Sequence, residues 1–99
     1  MTEGDDTTRE AFDRLAQLLE FPVDFPLKVL GQRVDGFEAA IAGIIDRHVP
    51  GFDPARFESR ASAKGTYLSL TTVLAIESRE QLESLHRELT AHPWVKVVL

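Results

Sequence analysis

Three histidines, His48, His86 and His92, are the first residues to test for chemistry. No two of them have the spacing that would set both on one helix face as metal ligands. His48 falls near the end of a predicted helix, where the dipole suits it and a structural role follows. The 16 Asp and Glu residues could in principle supply an acid–base pair. Each, however, has a ready use as a helix cap, a helix-face charge or a loop residue. Cysteine is absent, which removes thiolate nucleophiles, thiolate metal sites and disulfides, and fits a reducing compartment. No Gly-x-Ser-x-Gly elbow, Walker-type loop or His-Glu-x-x-His pair occurs. The residues describe a protein that is not an enzyme and that needs no metal or cofactor.

One short stretch suits ligand binding. Ser62-Ala63-Lys64-Gly65 is compatible with an anion-binding nest, with charge from Lys64 and a hydroxyl from Ser62. The preferred reading of the same residues is an ordinary turn in which Gly65 takes a positive φ and Lys64 is solvated.

The elements that position these residues follow from periodicity. Residues 56–77 read as a β-hairpin turning at Lys64-Gly65, its second arm dense in Thr, Tyr, Val, Leu and Ile. Thr7 and Glu10 have capping-box spacing ahead of Phe12, Leu15, Leu18 and Leu19, which predicts a short first helix ended by Pro22. Residues 25–32 predict a strand with Phe25, Leu27 and Val29 on one face and Lys28 and Leu30 on the other. Asp35 and Glu38 predict a capped helix over 35–48, striped by Val34, Phe37, Ile41, Ile44, Ile45 and His48. Ser78 and Gln81 predict a further cap before Leu82, Leu85 and Leu89, with Glu83 and Arg87 paired on the wet side. Residues 94–99 make a last strand, with Val95, Val97 and Leu99 inward and Trp94, Lys96 and Val98 outward.

That order is βαββαβ. It predicts an α+β, ferredoxin-like sandwich: an antiparallel four-stranded sheet with two helices on one face, plus the N-terminal helix. The other sheet face would carry Lys28, Leu30, Tyr67, Val73, Trp94, Lys96 and Val98, unusually apolar for a face left to water. Self-association or contact with another protein through these residues is the expectation.

Ninety-nine residues suffice for one domain, read as residues 9–99 behind a flexible tail at 1–8. The net charge of −5 argues against nucleic-acid or anionic-membrane partners. Tyr67 and Trp94 would sit where RNA-binding domains of this topology stack bases, but the patterned aromatics of such domains are absent. No apolar run approaches a membrane span and the N-terminus lacks a signal core, so the expected location is the cytoplasm.

Glu20-Phe21-Pro22, Phe25, Lys28-Val29, Gly31, Ser62-Ala63-Lys64-Gly65, Tyr67, Ser69 and the final Val98-Leu99 together resemble the YbeD-like family of small bacterial proteins. The chain departs from that pattern in having Ala63 where a second serine is expected, and in its longer lead through Leu15. The resemblance implies a fold similar to ACT regulatory domains, which bind amino acids or other small effectors. It would place an effector at the start of the second helix, Arg33-Val34-Asp35-Gly36, beside Gly31, where a helix start offers free N–H groups. Asp35, as the cap, would compete for those donors and oppose an anion. Two readings therefore stand: a non-catalytic regulatory or interaction domain working through its open sheet face, or an ACT-like small-molecule sensor.

Overall fold

A computed structural model describes residues 3–99, with side chains from Glu10 onward. Its elements are α1 (Glu3–Leu18), β1 (Val23–Gln32), α2 (Phe37–His48), a 3-10 turn (Pro54–Arg56), β2 (Glu58–Ala61), β3 (Tyr67–Ile76), α3 (Arg79–Ala91) and β4 (Val95–Val98). The strands form an antiparallel sheet in the order β2-β3-β1-β4. This is the ferredoxin-like arrangement that the periodicity predicts, with α1 in front of it.

The core is built on β1 and β3, which pair along their whole length from Val23↔Ile76 to Gln32↔Tyr67. Alternation puts Phe25, Leu27 and Val29 on the same face as Leu70, Leu74 and Ile76, and all six are buried. Phe37, Ile41, Ile44 and Ile45 of α2 and Leu82, Leu85 and Leu89 of α3 cover that face. Phe52, in the loop after α2, joins the core and meets Phe57 with ring centroids 5.0 Å apart. No periodicity marks a single aromatic in a loop, so the sequence offered no sign of it.

The start of α3 follows its predicted cap. Ser78 Oγ accepts from the Gln81 N–H at 3.1 Å, while Gln81 Oε1 accepts from the Glu77 N–H at 2.7 Å. The Gln81 amide also donates to the His48 carbonyl at 2.7 Å, tying the end of α2 to the start of α3. Ser78→Ala should therefore cost about 1 kcal/mol, read as a lower urea midpoint at unchanged slope. No change in midpoint would mean that the cap bond is not formed in solution. On the wet side the partner of Glu83 is Arg79, at 3.9 Å, and not the expected Arg87.

Three expectations are corrected. Thr7 lies inside α1, so it does not cap it; Met1 and Thr2, at the start of the stretch read as a tail, lie outside the described residues. The buried stripe of α1 is Phe12 and Ala16, with Leu19 packed beside the core and Leu15 exposed. Phe12 stacks on the His86 ring at 3.6 Å and meets Phe25 edge-on at 6.1 Å. Helix α1 thus docks on α3, and the small Ala16 suits a close contact better than a leucine would.

At α2, the chain enters through Gly36 with φ 88°, and no side chain caps the helix. Asp35 is one residue too early to cap, and its carboxylate is exposed.

The third correction concerns β4. Its register on β1 runs Val29↔Val98 and Leu30↔Val97, then shifts to Gly31↔Val95, which leaves Lys96 as the extra residue of a β-bulge. The pairing continues to the last residue through the mutual Lys28–Leu99 backbone bonds at 2.8 and 3.0 Å. One inserted residue reverses parity beyond it. Val98 therefore faces the core, 3 % exposed, while Val97 and Leu99 lie on the open face, opposite to the alternation read from the sequence.

Candidate functional site

The open sheet face is assembled from the outward residues of all four strands. Register sets Lys28 and Leu30 of β1 beside Ser69 and Thr71 of β3, with Val73 opposite Pro26 and Tyr67 opposite Gln32. Glu58 and Arg60 of β2 extend it on one side. Val97 of β4 and Leu99 just beyond it extend it on the other. Among the described residues the helices pack on the opposite face, and α1 lies on α3, so nothing covers this one. Val73 is 45 % and Leu99 62 % exposed.

Five residues predicted for this face are there: Lys28, Leu30, Tyr67, Val73 and Lys96. Val98 is not, for the reason given above. Trp94 is not part of the patch either. Its indole packs against the core at the start of α2, with Cζ3 4.0 Å from where a Cβ on Gly36 would sit. The Trp94 N–H donates to His92 Nδ1 at 3.1 Å, and the two rings are 5.3 Å apart.

Of the residues proposed around an effector, Gly31, Gly36, Ser62 and Gly65 find structural uses, while Asp35 and Lys64 are exposed. Gly31 is buried, and a Cβ there would stand 2.4 Å from Phe37 Cζ and 2.5 Å from the Trp94 carbonyl oxygen. Hydrogen there lets the Phe37 ring lie directly on the strand. At the hairpin tip, Ser62 Oγ accepts from the Tyr67 N–H at 3.1 Å and the Ser62 carbonyl accepts from the Gly65 N–H at 2.9 Å. These bonds use two donors that a nest would need, leaving Lys64 as an exposed charge.

The histidines are likewise engaged. His48 Nε2 lies 2.7 Å from Glu88 Oε1, and Arg47 pairs with the same carboxylate. Burial, and then the neighbouring Arg47 charge, hold the His48 pKa below its ordinary value. Among the described residues no group of three His, Asp or Glu side chains could hold a metal ion. No helix among them is long and apolar enough to cross a membrane.

With this geometry in view, comparison with known proteins is informative. Residues 16–99 match the family described as "Protein of unknown function (DUF493)". The chain belongs to the DUF493 family. A UPF0250 protein of Ralstonia nicotianae is 46 % identical to it over 99 residues, all of both chains. Another, from Leptothrix cholodnii, is 48 % identical over 86 residues, covering 87 % of this chain and 94 % of its own. A third, from Janthinobacterium, is 46 % identical over 87 residues, 88 % and 96 % of the two chains. These are the small bacterial proteins that the Phe-Pro, Ser-Ala-Lys-Gly and Val-Leu positions suggested. In this DUF493 chain most of α1 precedes the matched segment, yet the Ralstonia relative aligns through it.

One feature of the DUF493 chain was only partly marked in the sequence, by the Arg33–Gly36 stretch where the resemblance places an effector. An open cleft of about 530 Å³ lies where the ends of β1, β3 and β4 meet, bounded by Arg33, Tyr67 and Lys96. Arg33 and Lys96 are far apart in the chain and belong to no motif. Only the sheet register and the bulge bring them to one place.

Proposed function

We propose that this DUF493 chain is a cytoplasmic, non-catalytic domain that works by binding another protein chain, or a second copy of itself, through its open sheet face. The observation that carries this reading is the uncovered patch of Leu30, Val73, Val97 and Leu99, with α1 docked on the far side of the molecule. Contiguous apolar surface on a small soluble protein marks a contact site more often than not. Lys28 stands among these residues and Arg60 at their β2 edge, and both would set register while discouraging indiscriminate stacking. The structural engagement of all three histidines supports the non-catalytic part of the reading.

Val73→Ser should weaken association by about 2 kcal/mol, near thirtyfold, while circular dichroism and the unfolding midpoint stay close to the parent's. Sedimentation of the full chain over a concentration series, with affinity capture from host lysate, supplies the readout. Association unchanged in both Val73→Ser and Leu99→Ser would overturn the reading. A second reading, a small-molecule sensor, is favoured by the cleft at Arg33, Tyr67 and Lys96.

A further inference from the structure

We infer that this cleft is a binding site for a small organic anion, a carboxylate or phosphate without an accompanying ammonium group. The inference rests on the small-molecule reading and gives that ligand its chemical class. The chain carries 16 acidic against 11 basic residues, yet the cleft is lined by Arg33 and Lys96 with no carboxylate. Among the described residues neither cation takes part in an ion pair; those found involve Arg47, His48 and Arg79. Two basic side chains facing one cavity without a counter-charge make a local positive field in an acidic protein, which concentrates small anions.

Both cations are placed by backbone features of the fold. The Arg33 N–H donates to the Thr66 carbonyl at 3.2 Å, fastening the end of β1 to the hairpin tip. Its Nη1 then lies against Gly65, 3.0 Å from where a Cβ on that residue would stand. Gly65 has φ 72°, so its lack of a side chain both permits the turn and leaves room for the guanidinium.

Lys96 owes its position to the bulge. In the register held by Val97 and Val98 it would oppose Gly31 and face the core. As the extra residue it turns to the open side, where its ammonium lies 5.7 Å from the Tyr67 ring centroid. Bulges commonly re-aim one side chain in this way beside functional sites. Gln32, Thr66 and Tyr67 add neutral hydrogen-bonding groups to the wall, and Pro93 and Val95 an apolar side. A guanidinium fork, an ammonium and these neutral groups suit a carboxylate or phosphate. A free amino acid fits worse, because its α-ammonium would meet two cations and no acid.

The test is an amide and side-chain NMR titration of the full chain with inorganic phosphate, acetate and glycine in parallel. Phosphate and acetate are expected to give saturable shifts centred on Arg33, Thr66, Tyr67 and Lys96, with glycine at least about tenfold weaker. Arg33→Gln and Lys96→Gln are exposed substitutions that leave the core intact, and each should weaken phosphate binding at least about tenfold. Glycine binding as tightly as acetate would overturn the anion assignment while leaving a small-molecule site in place. No saturable shift at these residues, or shifts spread equally over Arg47, Arg79 and Arg87, would overturn the site itself.

Discussion

Phe37→Ala should destabilise the fold by about 3–5 kcal/mol, the range for an aromatic removed from a packed core. Phe37 is fully buried at the first turn of α2, and its ring lies directly on the β1 backbone at Gly31. The substitution therefore empties the contact between helix and sheet at the point where α2 begins. With total stabilities of about 5–15 kcal/mol for domains of ordinary size, such a loss leaves little margin. The midpoint of urea unfolding is the measurement. Should the alanine variant fail to accumulate, Phe37→Leu provides the graded case, with a loss of about 1–2 kcal/mol. A loss under 1 kcal/mol for the alanine variant would mean that the ring is not the core element the structure makes it.

Gly31→Ala is the complementary experiment, adding a methyl group where Phe37→Ala takes a ring away. The new Cβ would meet Phe37 Cζ at 2.4 Å and the Trp94 carbonyl oxygen at 2.5 Å, both well inside van der Waals contact. The ring can shift, but the carbonyl belongs to the ladder, where it accepts from the Gln32 N–H at 2.9 Å. A cost of about 3 kcal/mol, the upper end for overpacking, is expected. Combining Gly31→Ala with Phe37→Leu should recover about 1 kcal/mol of the summed losses, because the two residues share one contact. Strict additivity would argue that Gly31 is needed for the Trp94 carbonyl alone. Either outcome makes Gly31 a packing residue, which accounts for it without any ligand.

The helices and central strands were legible because local periodicity and global burial agree in them. The stripe from Phe37 to Ile45 and the alternation from Phe25 to Val29 face the same core that their spacing implies. At three places where legibility failed, the cause was a single residue of offset. Gly36 in the left-handed conformation moved the start of α2 past Asp35 and undid the expected capping box. In α1, the docking surface on α3 selected Ala16 over Leu15. In β4, the bulge at Lys96 exchanged the faces of Val97 and Val98.

The candidate site was less legible than the fold. Lys28, Leu30, Tyr67, Val73 and Lys96 could be assigned to the open face from the sequence, since they lie on regular strands or at the bulge itself. Gly65 takes the positive φ that the hairpin reading gave it, whereas the reasons for Gly31 and Gly36 are the Phe37 ring and the entry into α2.

By itself, then, the amino-acid order determined the βαββαβ fold, the family and most of the core, because each of these is written in local spacing or in runs of matching residues. The tertiary structure alone decided which residues share the open face beyond the bulge, where α1 packs, and that Arg33 and Lys96 meet at one cleft. The physical reason is that a bulge or a left-handed glycine costs little locally and leaves no periodic trace. Its consequences appear only where strands distant in sequence are held in register.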